Sequence, residues 1–402
     1  MKQYGGSAIA SGSYGCVFYP SLKCKNKSSN STGVSKLMLK RHAKKEYDDI
    51  VALKKILSSI PNYERYFVLA TEKCEPDRLT PEDMENMESK CKRFLDTKTK
   101  LSKYDIVNIP FGGYDIDNYL KTGITLQKFL KINKSLKHTI NHGVIPMNKL
   151  NVYHFDLKID NLLINNKGEI KLIDWGFTIF HDNKIPSVHN EIEYKSFNFN
   201  LPFSLLLFSE MYVLLINDYL NKNSDKLDVL SLSNFVKSIF KKYDDENKHY
   251  KITNIILNVI VNELNLSTSS EDLIFRYLGL CVHKYIKQTS ANEYYFDHVS
   301  LFNEVFLKNC DLFGSLTVYF SLLEYVTNYP FLLNLKSENS LKQFRNQLCK
   351  IIYEHMIEDG RKLINVNSFF KDIDSLKTHF KSSTRKNISI LSNRTLKKRN
   401  KK

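Results

Sequence analysis

Apolar and polar positions along the chain form short alternating runs first and long runs of helical period later. Residues 9–17 alternate and turn on Gly12 and Gly15, the pattern of a glycine-rich hairpin. Residues 34–38 read as a strand. From 42 to 59 the period becomes helical, with Ile50, Leu53 and Leu57 on one face and Glu46 on that same face. A carboxylate on an apolar stripe is costly to bury unless it is paired. Residues 66–70 and 104–109 read as further strands, separated by an acidic-then-basic helical insert over 76–100. Residues 126–142 make an amphipathic helix, and the long segment 205–309 is again helical in period.

The stretch 153–177 organises the rest. His154, Asp156, Lys158 and Asn161 precede an apolar run, a turn at 165–168, a second apolar run and then Asp174. That layout predicts a loop followed by a β-hairpin, which carries Asp156 and Asn161 up to Asp174. Three oxygen-bearing side chains then share one pocket. A hard cation such as Mg²⁺ takes oxygen ligands and keeps phosphate oxygens as partners, so Asn161 and Asp174 are expected as metal ligands. Asp156 stays free to accept a hydroxyl proton, and Lys158 to balance charge on a transferring phosphoryl group.

Composition narrows the setting. The chain has 402 residues, 42% of them hydrophobic, enough for a large core and for two lobes or two to three domains. The best apolar run, 205–216, is interrupted by Ser209 and Glu210, so no membrane span is expected. The N-terminus lacks the apolar region of a secretory signal, and an intracellular protein is expected. Seven cysteines, scattered with no C-x-x-C pair, suggest free buried thiols rather than a disulfide framework or a zinc site. The net charge is +16, and residues 381–402 hold nine Lys or Arg and no acid. Such a tail is too charged to fold alone; it is either a solvated tail or a contact for a polyanion.

Taken together, the motifs resemble those of eukaryotic-type serine/threonine protein kinases. His154-Phe155-Asp156-Leu157-Lys158 with Asn161, then Asp174-Trp175-Gly176, is similar to the kinase catalytic loop and metal loop, with Trp175 in place of Phe. The combination V-S-K-L-M, H-F-D-L-K, D-W-G, N-L-P-F-S and D-L-F-G resembles the group encoded by nucleocytoplasmic large DNA viruses. Ile9, Ala10, Ser11, Gly12, Ser13, Tyr14, Gly15, Cys16 and Val17 resemble the ATP phosphate loop, with Ala10 replacing its first glycine.

The resemblance implies an α+β bilobal kinase-like fold: a small β-rich lobe over 1–113, a larger, mainly helical lobe over 114–380 with an insertion at about 205–309, and the basic tail. It implies ATP and Mg²⁺ as cofactors and protein Ser/Thr hydroxyls as substrates. Lys36 would hold the ATP phosphates and pair with Glu46. Residues 110–113 resemble the hinge between lobes, with Asn108 and Ile109 both fitting the gatekeeper place. Asp311 either begins the central helix of the large lobe and ties down the catalytic loop, or is an unrelated helix cap. There is no A-P-E, and Phe155 stands where many kinases carry Arg, so switching by phosphorylation of 178–199 is not expected. The alternatives are a pseudokinase-like scaffold that uses its basic tail to bind nucleic acid or another polyanion, and a small-molecule kinase.

Overall fold

The computed structural model describes residues 7–11, 15–25, 33–84, 87–91, 101–181, 197–243 and 247–382. Its N-terminal part is a five-stranded antiparallel sheet of β1 (Ser7–Ser11), β2 (Gly15–Tyr19), β3 (Val34–Leu39), β4 (Glu72–Cys74) and β5 (Tyr104–Ile109), in the order β1-β2-β3-β5-β4. Successive side chains on a strand point to opposite faces, so register assigns each residue its layer. Lys36 lies opposite Val17 on β2 and Val107 on β5. That face carries Met38 and Val107 into the main core, where helix α1 (Lys40–Leu57) buries Ala43, Ile50, Leu53 and Leu57. The other face presents Cys16, Phe18, Leu37, Tyr104 and Ile106 to a second, smaller core closed by Met87 and Cys91. The described part of the 76–100 insert supplies that cover as two short helices, α2 (Pro81–Met84) and α3 (Met87–Lys90).

Two expectations change here. Residues 66–70 are no strand of the sheet; Phe67 makes a single parallel bridge to Leu172, and the amide of Val68 donates to the Leu172 carbonyl at 2.9 Å. The run is apolar because it is buried as a link from the sheet to the later hairpin, and the edge strand is instead Glu72–Cys74. The cysteines also differ from expectation. Cys16–Cys91 and Cys24–Cys74 are disulfides, each with Cα atoms 5.7 Å apart. Among the described residues only Cys281, Cys310 and Cys349 are free buried thiols; burial pushes the Cys349 thiol up to about 12. The sheet brings together cysteines 75 and 50 residues apart, a proximity that spacing along the chain does not reveal.

The remainder is mostly helical. Helix Leu126–Thr139 continues through a wider turn at Ile140–Val144 into Ile145–Lys149, beyond the end expected at 142. It leads to β7 (Val152–Tyr153) and the hairpin of β8 (Leu162–Ile164) and β9 (Ile170–Leu172), to which β6 (Tyr114–Asp115) adds a third strand. At the hairpin turn, the Asn165 Oδ1 accepts from the Glu169 amide at 2.9 Å, and Gly168 adopts φ 85°, where a Cβ would collide with the Lys131 side chain.

Segment 205–309 is helical as expected, with Glu210–Lys222, Val229–Tyr243, Lys248–Leu264 and Ser270–Lys284 ahead of a small hairpin, Ile286–Gln288 with Tyr294–Phe296. The next helix starts at His298, capped by the Asp297 carboxylate on the Ser300 amide, and runs through Phe302–Phe306 into Leu307–Leu316. Asp311 is therefore inside a helix, neither its start nor its cap. Among the described residues no helix is long and apolar enough to cross a membrane.

Candidate active site

The hairpin sets the geometry of the site. Leu162 pairs with Leu172, and the Ile173 amide donates to the Asn161 carbonyl at 3.0 Å. Asp174, the next residue, is thus carried to the catalytic-loop end of the hairpin. It adopts φ 65° and its side chain is exposed, while Phe155 on the loop adopts φ 60° and is buried. Two non-glycine residues in the left-handed region, one at each end of one stretch, mark backbone held in a costly shape by its surroundings.

Asp156 is buried and held from three sides. Lys158 Nζ lies 2.9 and 2.8 Å from its two carboxylate oxygens. Asn161 Nδ2 donates to Asp156 Oδ2 at 3.0 Å and to the Asp156 carbonyl at 2.7 Å. Asn200 Nδ2 donates to Asp156 Oδ1 at 3.1 Å and to the Leu157 carbonyl at 3.0 Å. With both amide hydrogens of Asn161 taken, its free atom is the amide oxygen, the atom a hard cation binds. The exposed Asp174 carboxylate has no ion pair or hydrogen bond among the described residues. The residues present fit a magnesium ion held by Asn161 and Asp174.

What stiffens the loop lies below it. Asp311, fully buried, accepts from the amides of His154 and Phe155, each at 2.9 Å, and from Asn148 Nδ2 at 2.7 Å. Burial pushes the Asp311 carboxyl above its ordinary range, and the hydrogen bonds from the His154 amide, the Asn148 side chain and the Phe155 amide pull against that shift. His154 Nδ1 accepts from the Asp156 amide at 3.3 Å, which places the ring proton on Nε2, 3.0 Å from the Ile173 carbonyl. One imidazole thereby joins the catalytic loop to the end of β9. Trp175 packs on His154 and Phe67 and donates its indole N–H to the Val68 carbonyl at 2.9 Å, a bond that phenylalanine cannot make. Gly314 lets the helix below approach, since a Cβ there would stand 2.5 Å from the Leu157 carbonyl.

On the sheet, Lys36 Nζ lies 2.9 and 2.7 Å from the two Glu46 oxygens, with both side chains partly buried. Ile9, Ala10 and Ser11 lie on β1, and Gly15, Cys16 and Val17 on β2. Gly12, Ser13 and Tyr14 fall outside the described residues, as does most of the basic tail. Cys16 turns its side chain to the small outer core, away from the Lys36 face, so any contact it makes with a nucleotide is through its backbone. Asn108 is likewise turned outward, to the face opposite Lys36, and accepts from Ser35 Oγ at 2.6 Å. Cys24, Glu72 and Cys74 have metal-ligand types close together, but the two sulfurs are joined to each other.

Asn200 is the residue that sequence reasoning missed: the segment N-L-P-F-S stood out, yet no role followed from it. Its only signal was an asparagine preceding Leu-Pro where the kinase resemblance would end a substrate-facing loop.

No family model matches the chain. Over 48 residues the chain is 44% identical to a protein of Dictyostelium discoideum named "Probable serine/threonine-protein kinase mkcE"; the match takes in 12% of this chain and 6% of that protein. The chain thus spans a small fraction of the length of that curated relative. A stretch of this α+β chain, a five-stranded sheet followed by a mostly helical remainder, is similar to a serine/threonine kinase.

Proposed function

We propose that the chain is an ATP-dependent serine/threonine protein kinase, with 1–113 as the small lobe, 114–380 as the large lobe and the active site between them. The observation that carries the reading is the Asp156 carboxylate, fixed by Lys158, Asn161 and Asn200, at the end of the hairpin that delivers Asp174. The kinase-like stretch supports it, and membership of the viral group rests on the quoted motifs alone.

In this reaction a protein hydroxyl attacks the γ-phosphorus of ATP, the new O–P bond forms, the bond to the β-phosphate oxygen breaks and ADP leaves. Asp156 accepts the hydroxyl hydrogen bond and takes its proton; the three donors around it keep the accepting oxygen aimed, which is where a loose transition state gains most from the protein. Lys158 places a positive charge beside that oxygen, next to where phosphoryl oxygens pass. Lys36, oriented by Glu46, holds phosphate oxygens, with the backbone of 9–17 above them. Bound Mg²⁺ would neutralise phosphate charge, with Asn161 and Asp174 as its protein ligands. The Lys158 position favours protein hydroxyls over small-molecule acceptors, as in the serine/threonine class.

The test is transfer of labelled γ-phosphate from ATP with Mg²⁺ to casein or myelin basic protein. The parent protein labels the acceptor and Asp156→Asn does not, while still binding ATP. Equal labelling by Asp156→Asn would overturn the assignment, and no labelling by the parent would favour a scaffold.

A further inference from the structure

At the end of the hairpin away from Asp174, the helix Leu126–Thr139 and the turn at 165–168 gather cations that the proposed reaction does not use. The helix lies along β9: Ser135 Oγ donates to the Gly168 carbonyl, and Thr139 Oγ1 donates to the Ile170 carbonyl at 2.8 Å. Lys131 lays its side chain over Gly168, beside Lys167 of the turn. Steps of three, four and four residues lead from Lys131 to Lys134, His138 and His142, on the side of the helix opposite the buried Phe129, Ile132 and Leu136. The His138 and His142 rings are 4.5 Å apart, so the row continues through the wider turn. Lys134, His138, His142 and Lys167 are all exposed. Arg65, paired with Glu169 at 2.9 Å, and Lys171, whose Nζ donates to the Glu64 carbonyl at 2.7 Å, border the same face.

The face is positive in sum. Arg65, Lys131, Lys134, Lys167 and Lys171 stand against the acids Glu64 and Glu169, and Glu169 is already engaged by Arg65 and by Asn165 Nδ2 at 2.9 Å. Among the described residues Lys131, Lys134 and Lys167 have no carboxylate partner. The His138 imidazole lies within this field: partial desolvation lowers its pKa, and His142, Arg65 and Lys134 lower it further against the pull of Glu169. Phe380 stacks on Phe129 of the same helix, the ring centroids 5.1 Å apart. Residues 381–402, with nine Lys or Arg and no acid, therefore start at this helix and bring charge of the same sign.

We propose that this face binds nucleic acid through its phosphodiester backbone. A row of cations stepping about 4.5 to 6 Å along a helix, at 1.5 Å per residue, calls for a partner whose negative charges repeat as regularly. A polynucleotide carries one such charge per nucleotide by construction, whereas a polypeptide offers such a row only in a run of acids. Each ammonium that meets a phosphate releases a condensed counterion, which supplies affinity without reading sequence. The exposed imidazole rings add flat surfaces on which unstacked bases can rest. The proposal stands apart from the kinase reading: the face lies at the far end of the hairpin from Asp174, and it is tested without ATP.

The full chain is titrated into a fluorescent single-stranded oligonucleotide of mixed sequence, in RNA and in DNA form, and anisotropy is read across salt concentrations. The parent is expected to bind both. The triple variant Lys131→Ala, Lys134→Ala, Lys167→Ala is expected to bind each at least about tenfold more weakly at about 0.1 M salt. Its slope of log Kd against log salt should fall by about two, the share of three phosphate contacts on a single strand. Lys134→Ala alone, at an exposed helix position that suits alanine, should lower the slope by about 0.7. Removing three charges from other helices, as Lys222→Ala, Lys226→Ala and Lys284→Ala, should change affinity by less than about twofold, since salt screens distant charges. Equal affinity of the face variant and the parent overturns the proposal, because the tail would then suffice. Equal losses in the two triple variants overturn it as well, because net charge would then explain the binding. So does a parent that binds no oligonucleotide, or that prefers polyglutamate or phosphatidylserine vesicles to it.

Discussion

Lys36 and Glu46 form an ion pair between β3 and α1, the lysine Nζ lying 2.7 Å from one carboxylate oxygen and 2.9 Å from the other. The pair resolves the conflict of an acid on the apolar stripe of α1, because the glutamate reaches over the buried face to a lysine of the neighbouring strand. Removing one charge leaves the other part-buried and misdirected. Glu46→Gln is expected to lower kcat/KM for ATP by roughly 10- to 100-fold, the loss of a hydrogen bond to a charged group. Lys36→Met is expected to lose more. Steady-state kinetics at varied ATP check this, and a Glu46→Gln enzyme with parental kcat/KM would show that the pair does not position the lysine.

Asn200 is joined to Asp156 Oδ1 and to the Leu157 carbonyl although it lies some forty residues away along the chain. In the proposed reaction its role is positioning. Asn200→Ala is expected to reduce kcat by roughly 10- to 100-fold, the usual effect of a misplaced catalytic group, with the dissociation constant for ATP unchanged. The decisive readout is that split: equal losses in nucleotide binding and turnover would mean a general structural role instead.

Asp311 satisfies two backbone amides below the catalytic loop, and Asp311→Ala leaves both buried without an acceptor. The expected cost is about 2–5 kcal/mol in urea unfolding. Asp311→Asn retains an acceptor oxygen and should lose clearly less. Equal stability of Asp311→Ala and the parent would contradict the account of the loop.

Glu271 predicts a pH dependence remote from the site. Burial pushes its carboxyl up, but hydrogen bonds from Lys237, Lys241 and Tyr250 outweigh this and bring it down to about 2. A carboxyl whose folded value lies below its ordinary value, here 4.5, adds stability above that value and loses it as pH falls towards 2. Thermal unfolding of the parent and Glu271→Gln should therefore differ at neutral pH, the gap narrowing below about pH 4.5 and closing only as pH approaches about 2. A gap between them that does not narrow on acidification would contradict the assignment.

Much of the site was legible because its residues are close in sequence. His154, Asp156, Lys158, Asn161 and Asp174 are brought together by one hairpin, which alternation and a Gly-containing turn announce. Glu46 could be read from the helical stripe of α1. The pairing of Cys16 with Cys91 could not, because it depends on how the insert folds back over the outer face of the sheet. Asp311 gave a correct bond but a wrong place in its helix: the cap that starts the helix is Asp297, and a helical period alone does not mark a start. Residues 66–70 carry a strand's composition, yet their partner is one residue of a distant hairpin, so burial rather than a ladder explains them. Asn200 was unreadable for the same reason: its partners are fixed only by tertiary structure.

The central claim is that Asn161 and Asp174 complete, with Asp156, one magnesium-dependent nucleotide site. It is tested most directly by equilibrium binding of ATP at increasing Mg²⁺ to the parent and to Asp174→Asn. The account predicts that Mg²⁺ tightens ATP binding to the parent and leaves binding to Asp174→Asn nearly unchanged. Identical responses of the two proteins to Mg²⁺, or no nucleotide binding by the parent at any Mg²⁺ concentration, would contradict it.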